Sequence, residues 1–256
     1  MTPQIASVAK SSLARGAHVL IEMYTNTALL LNACDVAANS YERRTDHFKL
    51  STTLGIPPDV RLPVEVDVCF FSNELPEQYR DPVLRRIAED FVIRMVSVLD
   101  GVFEDIFEET LKLHEPALSD PEIAGRVRSV WQSEANGHVN LLNFLINQLG
   151  LRSPVGKVSS VQMVFERYYE IREIRHALVH SSGILSPKHV QRLRSLSERL
   201  PPELRHGSLA TSDFIATGRV LLTAHELLKL RHWAYTTVLG YLQVAFDESV
   251  VQKSET

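Results

Sequence analysis

The chain has 256 residues, 45% of them hydrophobic, which is enough to bury a full core in one main domain with an extension. Its formal net charge of −4 excludes the overall basic excess of a non-specific nucleic-acid coat protein, so any nucleic-acid contact has to be local. The two cysteines, Cys34 and Cys69, stand too far apart in sequence for a metal knuckle or a redox C-x-x-C pair, and that usage fits a reducing cytoplasm.

Helical periodicity dominates the pattern and predicts an all-α fold. Leu13, Ala17, Leu20, Tyr24, Ala28 and Leu31 recur at three- and four-residue steps, the stripe of an amphipathic N-terminal helix. The stretch Gly16 to Ala38 is apolar, but Glu22, Asn26, Asn32 and Asp35 make it too polar to span a bilayer, and no signal peptide is read at the N-terminus. Between about Thr45 and Asp81 the period lapses. Pro57-Pro58 interrupts the chain, and Val64, Val66, Val68 and Phe70 alternate with their neighbours as a short strand or an extended connector would.

From Pro82 the helical signal returns in Leu84, Ala88, Phe91, Met95, Val98, Val102 and Ile106, widened by Leu99, Phe103 and Phe107. Ser119-Asp120-Pro121-Glu122 has the form of a capping box that starts another helix. A further helix is expected to begin near Ser133 and to run through Val139, Leu142, Leu145, Ile146 and Leu149 to a stop at Gly150. After a loop over 151–160, Val161 opens a helix that Gly183 ends. Ser186-Pro187 starts a short basic helix, and Pro201-Pro202 breaks it. Thr223-Ala224-His225-Glu226 reads as a second capping box, launching the last helix through Leu227, Leu230, Trp233, Tyr235, Val238 and Leu242. Residues 1–80 are thus an N-terminal helix plus connector, 81–250 a helical domain, and 251–256 a disordered tail.

Charge is unevenly spread. Residues 89–122 hold ten carboxylates against Arg94 and Lys112, whereas residues 164–206 hold eight Lys/Arg against five Glu, with four histidines besides. These are either two solvated faces that neutralise each other across a helix packing or the marks of a local basic surface. The basic helix carrying Lys188 and Arg192, together with Arg172, either guides RNA by phosphate contacts or is an ordinary surface. Asp100 and Glu104, one turn apart, suit a solvated face or a partner for the basic segment better than paired acid–base work, although Glu104 also suits the orientation of a motif side chain. Trp131 and Trp233 are expected on helices, in the core. No G-x-x-x-x-G-K-[ST], G-x-G-x-x-G or G-x-S-x-G string occurs, which argues against nucleotide hydrolysis, dinucleotide redox chemistry and a hydrolase elbow.

The densest chemistry is Arg175-His176-Ala177-Leu178-Val179-His180-Ser181-Ser182. It joins a cation that does not titrate to an imidazole of the residue type that titrates near neutral pH. Positions 175 and 180 lie about 140° apart around an ideal helix, yet a long guanidinium can swing toward an imidazole set at the helix end. Such a pair suits a phosphodiester: the arginine holds the non-bridging oxygens and the histidine moves a proton. In RNA this requires no metal, because the ribose 2′-hydroxyl is the nucleophile, whereas DNA lacks that hydroxyl. His176 and His180 at i,i+4 also have the spacing of a one-face metal pair, but a third ligand is missing nearby in sequence.

The string Arg-His-x-x-x-His, with Tyr168 to Ile174 before it on the same helix and Ser-Ser-Gly after it, resembles the signature of the HEPN superfamily. The likeness covers roughly residues 80–250, with a long early helix, a helix ending in Leu149-Gly150-Leu151, and a closing helix after Gly218 to Thr223. It implies a helical bundle that dimerises so that two motifs face one composite site. It also implies a metal-independent endoribonuclease without a cofactor, of the kind found in toxin and antiphage systems with a protein inhibitor or defence partner. By that resemblance Arg175 and His180 are catalytic, and His176 takes the polar place after the arginine. The toxin branch that is modified by a nucleotidyltransferase has a tyrosine where this chain has Ser182. The rival reading is a non-catalytic helical module that binds RNA, a nucleotide or a protein partner. Outside any function, Arg175 would simply pair with Glu170 or Glu173 and His180 would cap a helix.

Overall fold

The structure, a computed structural model, describes residues 1–53, 55–61, 68–133, 139–202 and 217–251. It is an all-α bundle with one two-stranded hairpin. In chain order the elements are α1 (Pro3–Glu42), β1 (Lys49–Ser51), β2 (Cys69–Phe71), α2 (Leu75–Arg80), α3 (Pro82–His114), α4 (Asp120–Arg128), α5 (Asn140–Asn143), α6 (Val161–Ser181), α7 (Pro187–Arg199), α8 (Ala224–His232) and α9 (Tyr241–Val251). Two π-helical segments, Phe144–Gln148 and Trp233–Gly240, continue α5 and join α8 to α9. No described helix is long and apolar enough to cross a membrane.

α3 is the axis. Its buried stripe (Ala88, Phe91, Val92, Met95, Val96, Leu99, Val102, Phe103, Ile106, Phe107, Leu111) follows the helical period and is wide enough to be covered on several sides. α1 lies along one side, α6 along another, and α4 and α8 also pack on it. α1 is 40 residues long, and Ile5, Ala6, Ala9, Leu13 and Leu20 join the same buried cluster as α3, α6 and α9. The N-terminal helix thus completes the bundle, as its apolar stripe suggests. Its second half leans on α2 and the hairpin instead: Tyr41 stacks on Tyr79 at 5.8 Å, and Arg80 pairs with Glu42 at 3.0 Å.

Three expectations are refined. The connector folds into an antiparallel hairpin with Leu50 opposite Phe70, while Val64 and Val66 lie outside the described residues, as does most of the expected tail. The helix expected near Ser133 begins at Asn140, because the chain first doubles back: Ser133 bridges Val139, and the Asn140 and Leu141 amides donate to the Gln132 and Val130 carbonyls. Trp131 consequently sits in the turn after α4 rather than on a helix. The two capping boxes are present as read, with the Ser119 amide donating to the Glu122 carboxylate at 2.8 Å and the Thr223 amide to Glu226 at 2.7 Å.

The crossing of α1 over α3 turns on Gly16, where an added Cβ would run into Cγ2 of the buried Val102. Helix propensity favours alanine over glycine by about 1 kcal/mol, but overpacking a close crossing costs about 1–3 kcal/mol, and a β-branched side chain on a packed helix has little room to yield. Gly16→Ala is therefore expected to lower the midpoint of thermal unfolding. In a Val102→Ala background the same change should be neutral or stabilising. A Gly16→Ala protein at least as stable as the parent would mean that the two helices separate freely at this point.

Candidate functional site

α6 begins at Ser160, whose hydroxyl accepts the Met163 amide at 3.1 Å. It buries Val161, Val164, Phe165, Tyr168, Ile171, Ile174, Ala177 and Leu178. Its rotation on α3 is set by an aromatic and polar cluster. Phe103 of α3 packs edge-on against Tyr168 at 5.0 Å and lies tilted against Phe165 at 5.1 Å. The Tyr168 hydroxyl donates to Asp100 at 2.6 Å, and the same carboxylate holds the Arg172 Nε at 2.9 Å. The Arg172 guanidinium lies 3.9 Å over the Trp131 ring, whose Nε1 donates to Glu104 at 2.8 Å.

Arg172, expected at the RNA surface, is thus engaged inside the protein, and it links the acidic helix to the basic segment. Asp100 and Glu104 each hold an internal partner. Burial, and after it the Asp100 carboxylate, push the Tyr168 phenol well above its ordinary range, so it remains a donor at any working pH.

The far end of α6 carries the motif. Ser182 adopts the left-handed conformation (φ 50°, ψ 38°), and the amides of Ser182 and Gly183 both donate to the Ala177 carbonyl. The segment Gly218 to Val220 clamps this end: Val220 donates to Gly183 at 2.7 Å and Leu185 to Gly218 at 3.0 Å. Gly183, at φ 79°, has Val220 against it, which leaves no ordinary conformation for a side chain there.

Arg175 stands two helical turns beyond Tyr168 and therefore on nearly the same face. Its stem is half-buried, its buried Nε has no hydrogen-bond partner, and its guanidinium makes no ion pair among the described residues. The pairing with Glu170 or Glu173 that a purely structural role would supply is not the one made. Glu173 instead pairs with Arg192 of α7 at 3.0 Å. Lys188 is exposed on the first turn of α7.

His180 is exposed on the last turn of α6, with its ring against His176 (centroids 4.5 Å apart, planes at 47°). Behind His176 stands His189 of α7, edge-on at 5.2 Å. The sequence reading missed His189. Its signal was present in Ser186-Pro187-Lys188-His189, which puts a histidine at the third position of a helix start, where its ring turns back toward the preceding chain. Although His176 as a residue is exposed, its ring is partly withdrawn from water. That withdrawal, then the imidazoles of His180 and His189, and last Arg192, lower its pKa from the ordinary 6.5, against Glu173, which raises it.

Among the described residues no three His, Cys, Asp or Glu side chains are grouped to hold a metal ion, the three imidazoles included. Two cavities lie elsewhere: one of about 300 Å³ lined by Leu20, Phe91, Met95, Arg231 and Tyr235, and a groove of about 600 Å³ along α7 lined by Leu185, Val190, Arg194 and Glu198. Arg175, His176 and His180 line neither. His176 and His180 are exposed, as are Val179 and Ile184 near them in the chain. No protein-family model matches the chain, and no curated protein or solved structure matches it either.

Two outcomes follow from this geometry. Arg172→Ala strips Asp100 of its cation and Trp131 of its cover, and should destabilise the fold by about 1–3 kcal/mol, the range for hydrogen bonds to charged groups. Chemical unfolding reads this, and a change within about 0.5 kcal/mol would assign the cluster to the ordinary surface. For His176 the sign is that of a depressed base. Below 6.5 the unfolded chain binds the proton more readily, so stability falls as pH drops through that value, and the loss is complete once the folded ring also titrates. Melting temperatures between about pH 7.5 and 5 should show a decline that His176→Gln reduces; identical slopes would remove His176 from the account.

Proposed function

We propose that the chain is a metal-independent endoribonuclease resembling the HEPN superfamily, with Arg175 and His180 at the reacting phosphate. The observation that carries this reading is a guanidinium with no ion pair among the described residues, its buried Nε unpartnered, set five residues before an exposed histidine on the last turn of the same helix. An arginine in a structural role is normally paired, and leaving a buried donor unsatisfied costs about 1–3 kcal/mol. A bound phosphate would relieve that cost by taking hydrogen bonds from the guanidinium.

In the proposed reaction His180 removes the proton of a ribose 2′-hydroxyl as the oxygen attacks the adjacent phosphorus. The bond from phosphorus to the 5′-oxygen then breaks, and the leaving oxygen takes up a proton. The products are a 2′,3′-cyclic phosphate and a 5′-hydroxyl, and Arg175 offsets the charge that builds on the non-bridging oxygens. His176 supports the His180 ring from below. Lys188 and Arg192 border the site from α7 and are suited to flanking phosphates, Arg192 at the expense of its contact with Glu173. Val179 and Ile184, 43% and 58% exposed beside an open site, fit the arrangement in which a second copy closes over it. A toxin or antiphage role with an inhibitor or defence partner, acting in the cytoplasm, belongs to the same reading.

The test is incubation of the protein and its His180→Ala and Arg175→Ala variants with mixed RNA in excess EDTA, with product ends identified. Wild-type cleavage with cyclic-phosphate ends should fall by at least about 100-fold in His180→Ala, the lower range for loss of a proton-transfer group, while the melting temperature hardly moves. A 2′-deoxy substitution at the scissile position should block the reaction. No cleavage, or equal cleavage by all three proteins, would favour the non-catalytic binding module.

A further inference from the structure

The three imidazoles form a column that starts in the protein and ends in solvent. His189 is its base. At 6% exposure it is buried, and its Nδ1 accepts the Ser186 amide at 3.2 Å while its own amide donates to the Ser186 hydroxyl at 3.3 Å. A ring nitrogen that accepts from a backbone amide must carry its lone pair there, so the neutral ring has its proton on Nε2 and a fixed orientation. The planes of His189 and His176 meet at 73° with centroids 5.2 Å apart, and His176 in turn lies against His180 at 4.5 Å.

We propose that His189 is a positioning residue for the Arg175/His180 site, acting through His176: the start of α7 sets His189, His189 sets the His176 ring, and that ring sets His180. This rests on the proposed ribonuclease reading for its catalytic consequence, but not for its structural one. The groups facing His176 are His180 and Glu173 on its own helix and His189 and Arg192 on α7. His189 is one of the neighbours that hold the His176 imidazole below its ordinary pKa, so without His189 the His176 ring takes up its proton at a higher pH.

The discriminating variant is His189→Asn. The asparagine carbonyl can still accept the Ser186 amide and its own backbone amide still reaches the Ser186 hydroxyl, so the start of α7 is retained while the ring beneath His176 is lost. In the free full-length protein, side-chain nitrogen and carbon NMR of the histidines is followed against pH. The wild type should show His189 with its proton on Nε2. His189→Asn should change the ring resonances of His176 and His180 and move the His176 titration upward in pH while leaving the fold intact.

In RNA cleavage the same variant should lower kcat by roughly tenfold, the scale of a small misplacement of a reacting group, with KM little changed. Adding His189→Asn to His176→Gln should cost little more than His176→Gln alone. Unaltered His176 and His180 ring resonances in His189→Asn would overturn the proposal even if the protein is an active ribonuclease. Altered resonances in a protein whose wild type cleaves no RNA would sustain the column and sink the ribonuclease reading alone. If His189→Asn does not fold, His176→Phe, which keeps a ring under His180 without a titrating nitrogen, should preserve the His180 ring environment, and its failure to do so would equally overturn the proposal.

Discussion

Tyr168 crosses from α6 to α3 and ties an aromatic contact to a charged one. Its ring packs edge-on against Phe103, and its hydroxyl reaches the same Asp100 carboxylate that holds Arg172. Apolar packing alone would let a helix with a broad buried face rotate by a few tens of degrees at little cost, because hydrophobic attraction has no direction. A hydrogen bond and an ion pair on one carboxylate do have direction. They set the azimuth of α6, and every later side chain on that helix inherits it. Arg175 falls at the border of the buried face, and His176 and His180 fall on the side that faces α7 and solvent.

The same cluster explains why two arginines three residues apart have different fates. Arg172 meets a carboxylate and a tryptophan face, both from neighbouring elements, and is consumed in holding the bundle. Arg175 is almost one turn further along, and it makes no ion pair among the described residues. The nearest acidic residue on its own helix, Glu173, is drawn the other way by Arg192 of α7. The free guanidinium is thus a product of where neighbouring helices put their charges.

Much of the fold was legible in the chain. The stripes of α1 and α3 are long and periodic, and the capping boxes at Ser119 and Thr223 start helices where their spacing says they should. What resisted reading was short or depended on distant partners. The hairpin of β1 and β2 has three residues a strand, too few for a period, and the start of α5 waits on a reversal at Ser133 and Val139 that is stabilised by backbone bonds rather than by side-chain pattern. Trp131 was misplaced on a helix for the same reason. In the candidate site, Arg175, His176 and His180 could be named because they lie within six consecutive residues. His189 could not, because nothing in sequence says that α7 folds back against α6.

By itself, then, the sequence determined the all-helical class, the positions of the long helices, and the grouping of one arginine and two histidines at a helix end, since these follow from spacing along one chain segment. Only the tertiary structure decided which charges are spent internally and which are left. The pairing of Arg172 with Asp100, the release of Arg175 and the addition of His189 beneath His176 all join residues on different elements. Such pairings depend on the angle and depth at which helices pack, and these are set by the whole core rather than by any local pattern.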